Sequence, residues 1–188
     1  MGTRKYGFVH VPKTGGTNIR YLITHTGADK ECRTQGHAYA IEMDAAWKFA
    51  FVRHPLDRAL SWYFHANKGE IKNRGMVPTR HTVSAWILSP AFEKNLVIAP
   101  HRSVRDILTH PGDRNRVIVD QVYRFEEWDR AIEDLVTRGV LPPEAIEMAR
   151  ERRNASPRPE GAHWHLLSWR AVQRIRELSW WEWDRWYL

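Results

Sequence analysis

Cysteine is almost absent. Cys32 is the only one in 188 residues, so no internal disulfide can form, and neither a disulfide framework nor a cysteine-built zinc site is available. A reducing compartment, the cytoplasm, is the expectation that follows. No run of about 18 apolar residues occurs, so the sequence offers no membrane span. The opening Met-Gly-Thr-Arg-Lys leads straight into a strand-like segment, without the apolar stretch and cleavage site of a secretory signal. Tyr6 stands where a myristoylation pattern needs Ser or Thr. Internal repeats and low-complexity linkers are also missing, and the length suits one compact domain spanning 1–188.

What is present is the composition of a globular protein, 43% hydrophobic and 27% charged, too apolar for a disordered chain. The formal charge of +7 favours anionic partners, whether nucleotides, nucleic acids, acidic glycans or membranes, and does not by itself choose among them.

Local pattern gives the architecture. Tyr6 to Val11 is a short apolar run ending at Pro12, and after two glycines Ile19, Leu22 and Ile23 have helical spacing up to Gly27. The run WKFAFV from Trp47 to Val52 is followed by Arg53, His54 and Pro55, the proline at a first helical position. Leu56, Ala59, Leu60, Tyr63 and Phe64 then form a core-facing stripe. Both segments read strand, loop, helix.

Residues 67–80, with Lys68, Lys72, Arg74 and Arg80 among glycines and a proline, read as an exposed basic loop, with a short helix over 82–88 after it. Val117, Ile118 and Val119 read as a further buried strand, and Trp128, Ile132, Leu135 and Val136 as an amphipathic helix stopped by Gly139. Pro142 and Pro143 open another helix, and two tryptophan-rich helices finish the chain. Alternating strands and helices predict an α/β fold: three layers, α/β/α, with a mainly parallel, P-loop-like central sheet and the ligand at the carboxyl ends of its strands.

The chemistry is carried first by Pro12-Lys13-Thr14-Gly15-Gly16-Thr17, between the first strand and the first helix. Paired glycines let backbone N–H groups approach a phosphate, the helix N-terminus adds positive potential, and Lys13 supplies a cation. The nucleoside-triphosphate loop places its lysine after the last glycine, whereas Lys13 precedes both.

HVPKTGGTN resembles the 5′-phosphosulfate loop of sulfotransferases that use 3′-phosphoadenosine 5′-phosphosulfate (PAPS), in particular the carbohydrate branch that includes the heparan sulfate 2-O-sulfotransferases. FAFVRHPLDRALSWY resembles that family's 3′-phosphate segment, an arginine after the strand and a serine eight residues later, here Arg53 and Ser61. Fainter matches lie at DQVYRFE (120–126) and NASPR (154–158). The resemblance implies sulfuryl transfer from PAPS to a hydroxyl acceptor, a glycan or a small molecule, with no metal, no nucleic acid and no membrane as partner. It implies cofactor contacts from Lys13, Thr14, Gly15, Gly16, Thr17, Asn18, Arg53, Ser61, Ser156 and Arg158, with Lys13 also offsetting charge on the departing phosphate. In GHAYAIEM a histidine stands between the two cofactor segments, which makes His37 the candidate base, an imidazole being able to take and return a proton near neutrality.

Other assignments stay open at this level. Glu42 is either the base or a structural carboxylate, His10 orients the loop, and His163 and His165 either reach the acceptor or simply begin a helix. The ten tryptophans stack on a ligand or, as helical spacing favours, pack inside. Two rival functions remain: a P-loop kinase or hydrolase, with Asp120 after Val117–Val119 holding magnesium, and a basic nucleic-acid-binding module. Asn154-Ala155-Ser156 matches a glycosylation acceptor only by accident in a chain expected to stay inside the cell.

Overall fold

The computed structural model describes residues 3–35, 39–97, 103–151 and 163–188. In chain order its elements are β1 (Arg4–Val9), α1 (Gly16–His25), β2 (Cys32–Gln35), β3 (Ala45–Val52), α2 (Pro55–Ala66), α3 (Lys68–Arg74), α4 (Arg80–Ile87), α5 (Pro90–Val97) and α6 (Val104–Leu108). There follow β4 (Thr109–His110), β5 (Asp113–Val117), β6 (Gln121–Arg124), α7 (Trp128–Thr137), α8 (Ala145–Arg150), α9 (Trp169–Leu178) and α10 (Trp180–Trp186). They form two compact units, one of residues 1–53 and 104–154, the other of residues 54–103 and 155–188.

The first unit is built on a four-stranded parallel sheet of order β2-β1-β3-β6. Side chains alternate across it. Phe8, Phe49 and Phe51 point to one face, where they join Ile19, Leu22 and Ile23 of α1 and Ile132 and Leu135 of α7 in one core. Val9, Ala50 and Val52, on the other face, are equally buried. A sheet covered on both sides needs apolar residues at every position of its inner strands, which is why β1 and β3 read as continuous apolar runs. The α/β class and the parallel, P-loop-like middle layer are therefore as expected.

Register places the site. Val9 pairs with Ala50, and Val52 with Arg124, so the segments after β1, β3 and β6 leave the same carboxyl edge side by side. Parallel sheets present their ligands at that edge.

Two expectations about segments change. Val117 to Val119 is no buried central strand: Val117 closes the separate antiparallel pair β4-β5, whose second strand is largely exposed, and the fourth sheet strand begins only at Gln121. A short apolar run does not say which strand it pairs with, and this one pairs locally with β4. The basic loop is largely helical, α3 running from Lys68 to Arg74 and ending at Gly75 with φ 65°. Arg74 and Glu70, one turn apart, form an ion pair that supports it.

The second unit is helical. Nine of the twelve residues of α2 are buried, among them Arg58, Ser61 and Trp62 as well as the predicted stripe, so the helix is enclosed on all sides instead of lying on a surface. Leu60, Tyr63 and Phe64 pack with Val83, Ile87, Phe92, Ala171 and Ile175 in a second core. Pro55 occupies the first turn and His54 caps it, its Nδ1 accepting the Leu56 N–H at 3.3 Å.

Candidate functional site

The loop between β1 and α1 has an unusual backbone. Lys13 (φ 68°) and Gly15 (φ 86°) are both left-handed, and among the described residues Lys13 is the one non-glycine there. That conformation costs a side-chain-bearing residue about 1–2 kcal/mol, and such strain gathers at ligand clamps. Left-handed residues alternating with ordinary ones turn successive amides into a concave anion site. The Thr14 hydroxyl, fully buried, donates to the Val11 carbonyl at 2.8 Å and ties the loop to itself. Gly15 caps α1 without a side chain, and no carboxylate lies in the first turn. The positive end of the helix is thus not neutralised by its own residues.

Each glycine is required for its own reason. A Cβ on Gly15 would lie 2.6 Å from Cε2 of Phe125, besides the φ that favours glycine. A Cβ on Gly16 would lie 1.9 Å from Cδ2 and 2.1 Å from Nε2 of His10. His10 is nearly buried and stacked on Phe8 at 5.8 Å, so its imidazole forms the floor against which α1 begins. This gives physical content to the expectation that His10 orients the loop.

Arg53 directly follows β3 and holds its guanidinium 4.6 Å over the centre of the Phe125 ring. Phe125 directly follows β6 and meets Trp128 at 5.6 Å. One aromatic ring therefore touches both the loop glycine and the arginine. Trp128, whose indole N–H donates to the Ala149 carbonyl, joins Asn18 and Tyr21 of α1 and Met148 of α8 around a shallow cleft. Neither Phe125 nor Trp128 was singled out from the sequence as a site residue. The faint DQVYRFE match pointed at the first, and helical spacing assigned the second to the core.

In the first unit the fold thus gathers Lys13, Thr14, Gly15, Gly16, Thr17, Asn18 and, across Phe125, Arg53. Ser61 belongs to the second unit, buried on α2. His37, Ser156 and Arg158 lie outside the described residues. The Glu42 carboxylate accepts the Tyr39 N–H at 3.2 Å and caps the 3₁₀ turn Ala40–Glu42. His163 and His165 sit in the 3₁₀ turn His163–Leu166, the helix-start placement. Trp164 between them stacks on His54 at 4.7 Å and donates to the Asp57 carboxylate at 2.9 Å.

Asp120 is engaged with the sheet. Its Oδ2 accepts the Lys48 N–H at 2.7 Å while its own N–H donates to the Lys48 carbonyl at 2.9 Å. It precedes β6, at the amino end of the strand whose carboxyl end leads to Phe125. Among the described residues no three His, Cys, Asp or Glu side chains cluster as a metal site, and no helix is long and apolar enough to cross a membrane.

Compared with known proteins, residues 2–174 match the model of the Sulfotransferase family. No curated protein matches the chain.

Proposed function

The chain belongs to the sulfotransferase family, and from that premise we propose that it moves a sulfuryl group from PAPS to a hydroxyl acceptor. The observation that carries the reading is the loop after β1, with left-handed Lys13 and Gly15 opening onto a helix N-terminus that has no side-chain cap. Its natural ligand is a tightly held anionic group. The cofactor has phosphate at both ends of its ribose and needs a second anion site. Arg53, leaving the neighbouring strand at the same edge, is a planar donor suited to the 3′-phosphate, with Ser61, Ser156 and Arg158 as its partners.

The acceptor oxygen bonds to sulfur as the sulfur–oxygen bond to the 5′-phosphate breaks. Lys13 offsets the charge that grows on the departing phosphate, and His37 takes the acceptor's proton. A carbohydrate hydroxyl is the acceptor we favour, on the resemblance of the GHAYAIEM and PKTGGT segments to the carbohydrate branch. No metal takes part in this scheme. The family match runs through both compact units, which supports treating residues 1–188 as one sulfotransferase-like domain.

Calorimetric titration with 3′-phosphoadenosine 5′-phosphate (PAP), against ATP and ADP without magnesium, tests the reading. Selective binding of PAP is expected. No binding, or preference for ATP, overturns it in favour of the kinase alternative.

A further inference from the structure

The family match ends at residue 174, yet α10, which starts at Trp180, makes some of the most specific contacts in the second unit. Both carboxylate oxygens of Glu182 accept from Nη1 of Arg58 on α2, each at 2.9 Å, with side chains 5% and 2% exposed. Trp183 and Tyr187 each set a ring against the His54 imidazole at 5.0 Å, near perpendicular, while Trp164 stacks on that imidazole. His54 caps α2, and Arg58 and Ser61, three apart, share one face of it. The C-terminal helix grips the first two of these positions. The third is Ser61.

A buried ion pair is a poor source of net stability, since apolar side chains of similar volume hold two helices together at lower desolvation cost. What it adds is direction: with both oxygens of the buried Glu182 carboxylate accepting from Arg58 Nη1, charge-assisted bonds tie the turn of α2 that carries Arg58 to one point on α10. We propose that α10 is a positioning strap for α2, and that Glu182, acting through Arg58, is a positioning residue that sets where the Ser61 hydroxyl points. The inference rests on the reading of Ser61 as a 3′-phosphate contact. It places a determinant of cofactor recognition in a segment beyond the family match.

The test compares PAP with adenosine 5′-phosphate, which lacks the 3′-phosphate, as calorimetric ligands of the full chain. The variant is Arg58→Met/Glu182→Leu, which keeps apolar packing and removes the directional pair, with thermal melting as a check of folding. In the wild type PAP binds more tightly. In the variant its affinity is expected to fall about tenfold, the worth of one hydrogen bond, with adenosine 5′-phosphate unaffected. A general loosening of the fold would weaken both nucleotides together and so overturns the proposal, as does unchanged PAP affinity. Should the double variant fail to fold, Glu182→Gln, of the same shape, carries the same comparison. In a Ser61→Ala background the strap variant is expected to have no further effect on the PAP preference, and an undiminished effect there overturns the route through Ser61. Wild-type protein without any preference for PAP instead overturns the cofactor reading on which the strap depends.

Discussion

Phe125 leaves Gly15 no room for a side chain, the nearest ring carbon standing 2.6 Å from where a Cβ would be, and the same ring carries the Arg53 guanidinium 4.6 Å over its centre. A residue with no polar atom in its side chain thereby links the two proposed anion-binding elements. Phe125→Leu is expected to weaken PAP binding roughly three- to thirtyfold, the range of a partly desolvated cation–π contact, with the fold intact by circular dichroism. Unaltered affinity would show that Arg53 is held by other contacts.

Gly16 and His10 offer a paired test. Gly16→Ala drives a methyl into the imidazole and should cost PAP affinity at least about tenfold. Gly16→Ala with His10→Ala removes the obstruction and should recover part of that loss, a non-additivity that neighbouring residues show and distant ones do not. A double variant no better than the single one would mean that the clash is not what Gly16 avoids.

Lys13 combines strain with charge. Lys13→Gly relieves the left-handed backbone and is expected to raise thermal stability by up to about 1 kcal/mol while weakening PAP binding through loss of the ammonium. A fall in melting temperature would show that Lys13 is more stabilising through its side chain than costly through its backbone.

Burial pushes the Cys32 thiol up to about 12, against a smaller opposing hydrogen bond from Phe8. A raised folded-state value means that stability is complete below the unfolded thiol's pKa of about 8.5 and declines as pH rises from there towards the folded value. Denaturant melts should therefore weaken between those limits, and less so in Cys32→Ala. In native protein at neutral pH a disulfide reagent should label the thiol only as fast as the fold opens. Rapid labelling would contradict the burial.

Asp120→Ala should lower the urea midpoint, since it strips the Lys48 N–H of its carboxylate, a hydrogen bond of roughly 1 kcal/mol. PAP affinity should not change. Loss of nucleotide binding in a folded variant would return Asp120 to the site and revive the magnesium reading.

Much of this was legible in the chain itself. Two apolar runs, each followed by a special loop and a stripe of helical spacing, predicted β1-loop-α1 and β3-Arg53-α2, because a strand buried on both faces reads as a continuous apolar run while a helix repeats every 3.6 residues. Gly27 and Gly139 marked helix ends and do adopt the left-handed conformation, with φ of 72° and 70°. The special loop after β1 was marked by Gly15 and Gly16 because one adopts the left-handed backbone that glycine favours and the other leaves no room for a Cβ against His10.

Partners across space could not be read in this way. β2, the polar tetrapeptide CRTQ, is a strand because Tyr6 pairs with Cys32, not because of any pattern within it. Apolar Val117 went to an outer hairpin, and its neighbour Asp120 to the main chain of Lys48. Of the tryptophans near the C-terminus Trp181 is buried while Trp169 and Trp180 stay exposed, and their spacing did not foretell that Trp183 would pack on His54, or that Glu182 beside it would be buried against Arg58. Phe125 meets Gly15 and Arg53 because the order β2-β1-β3-β6 brings the ends of three strands to one edge. Periodicity records which face of an element avoids water, whereas the identity of the neighbour on that face depends on topology and register, which are properties of the assembled sheet.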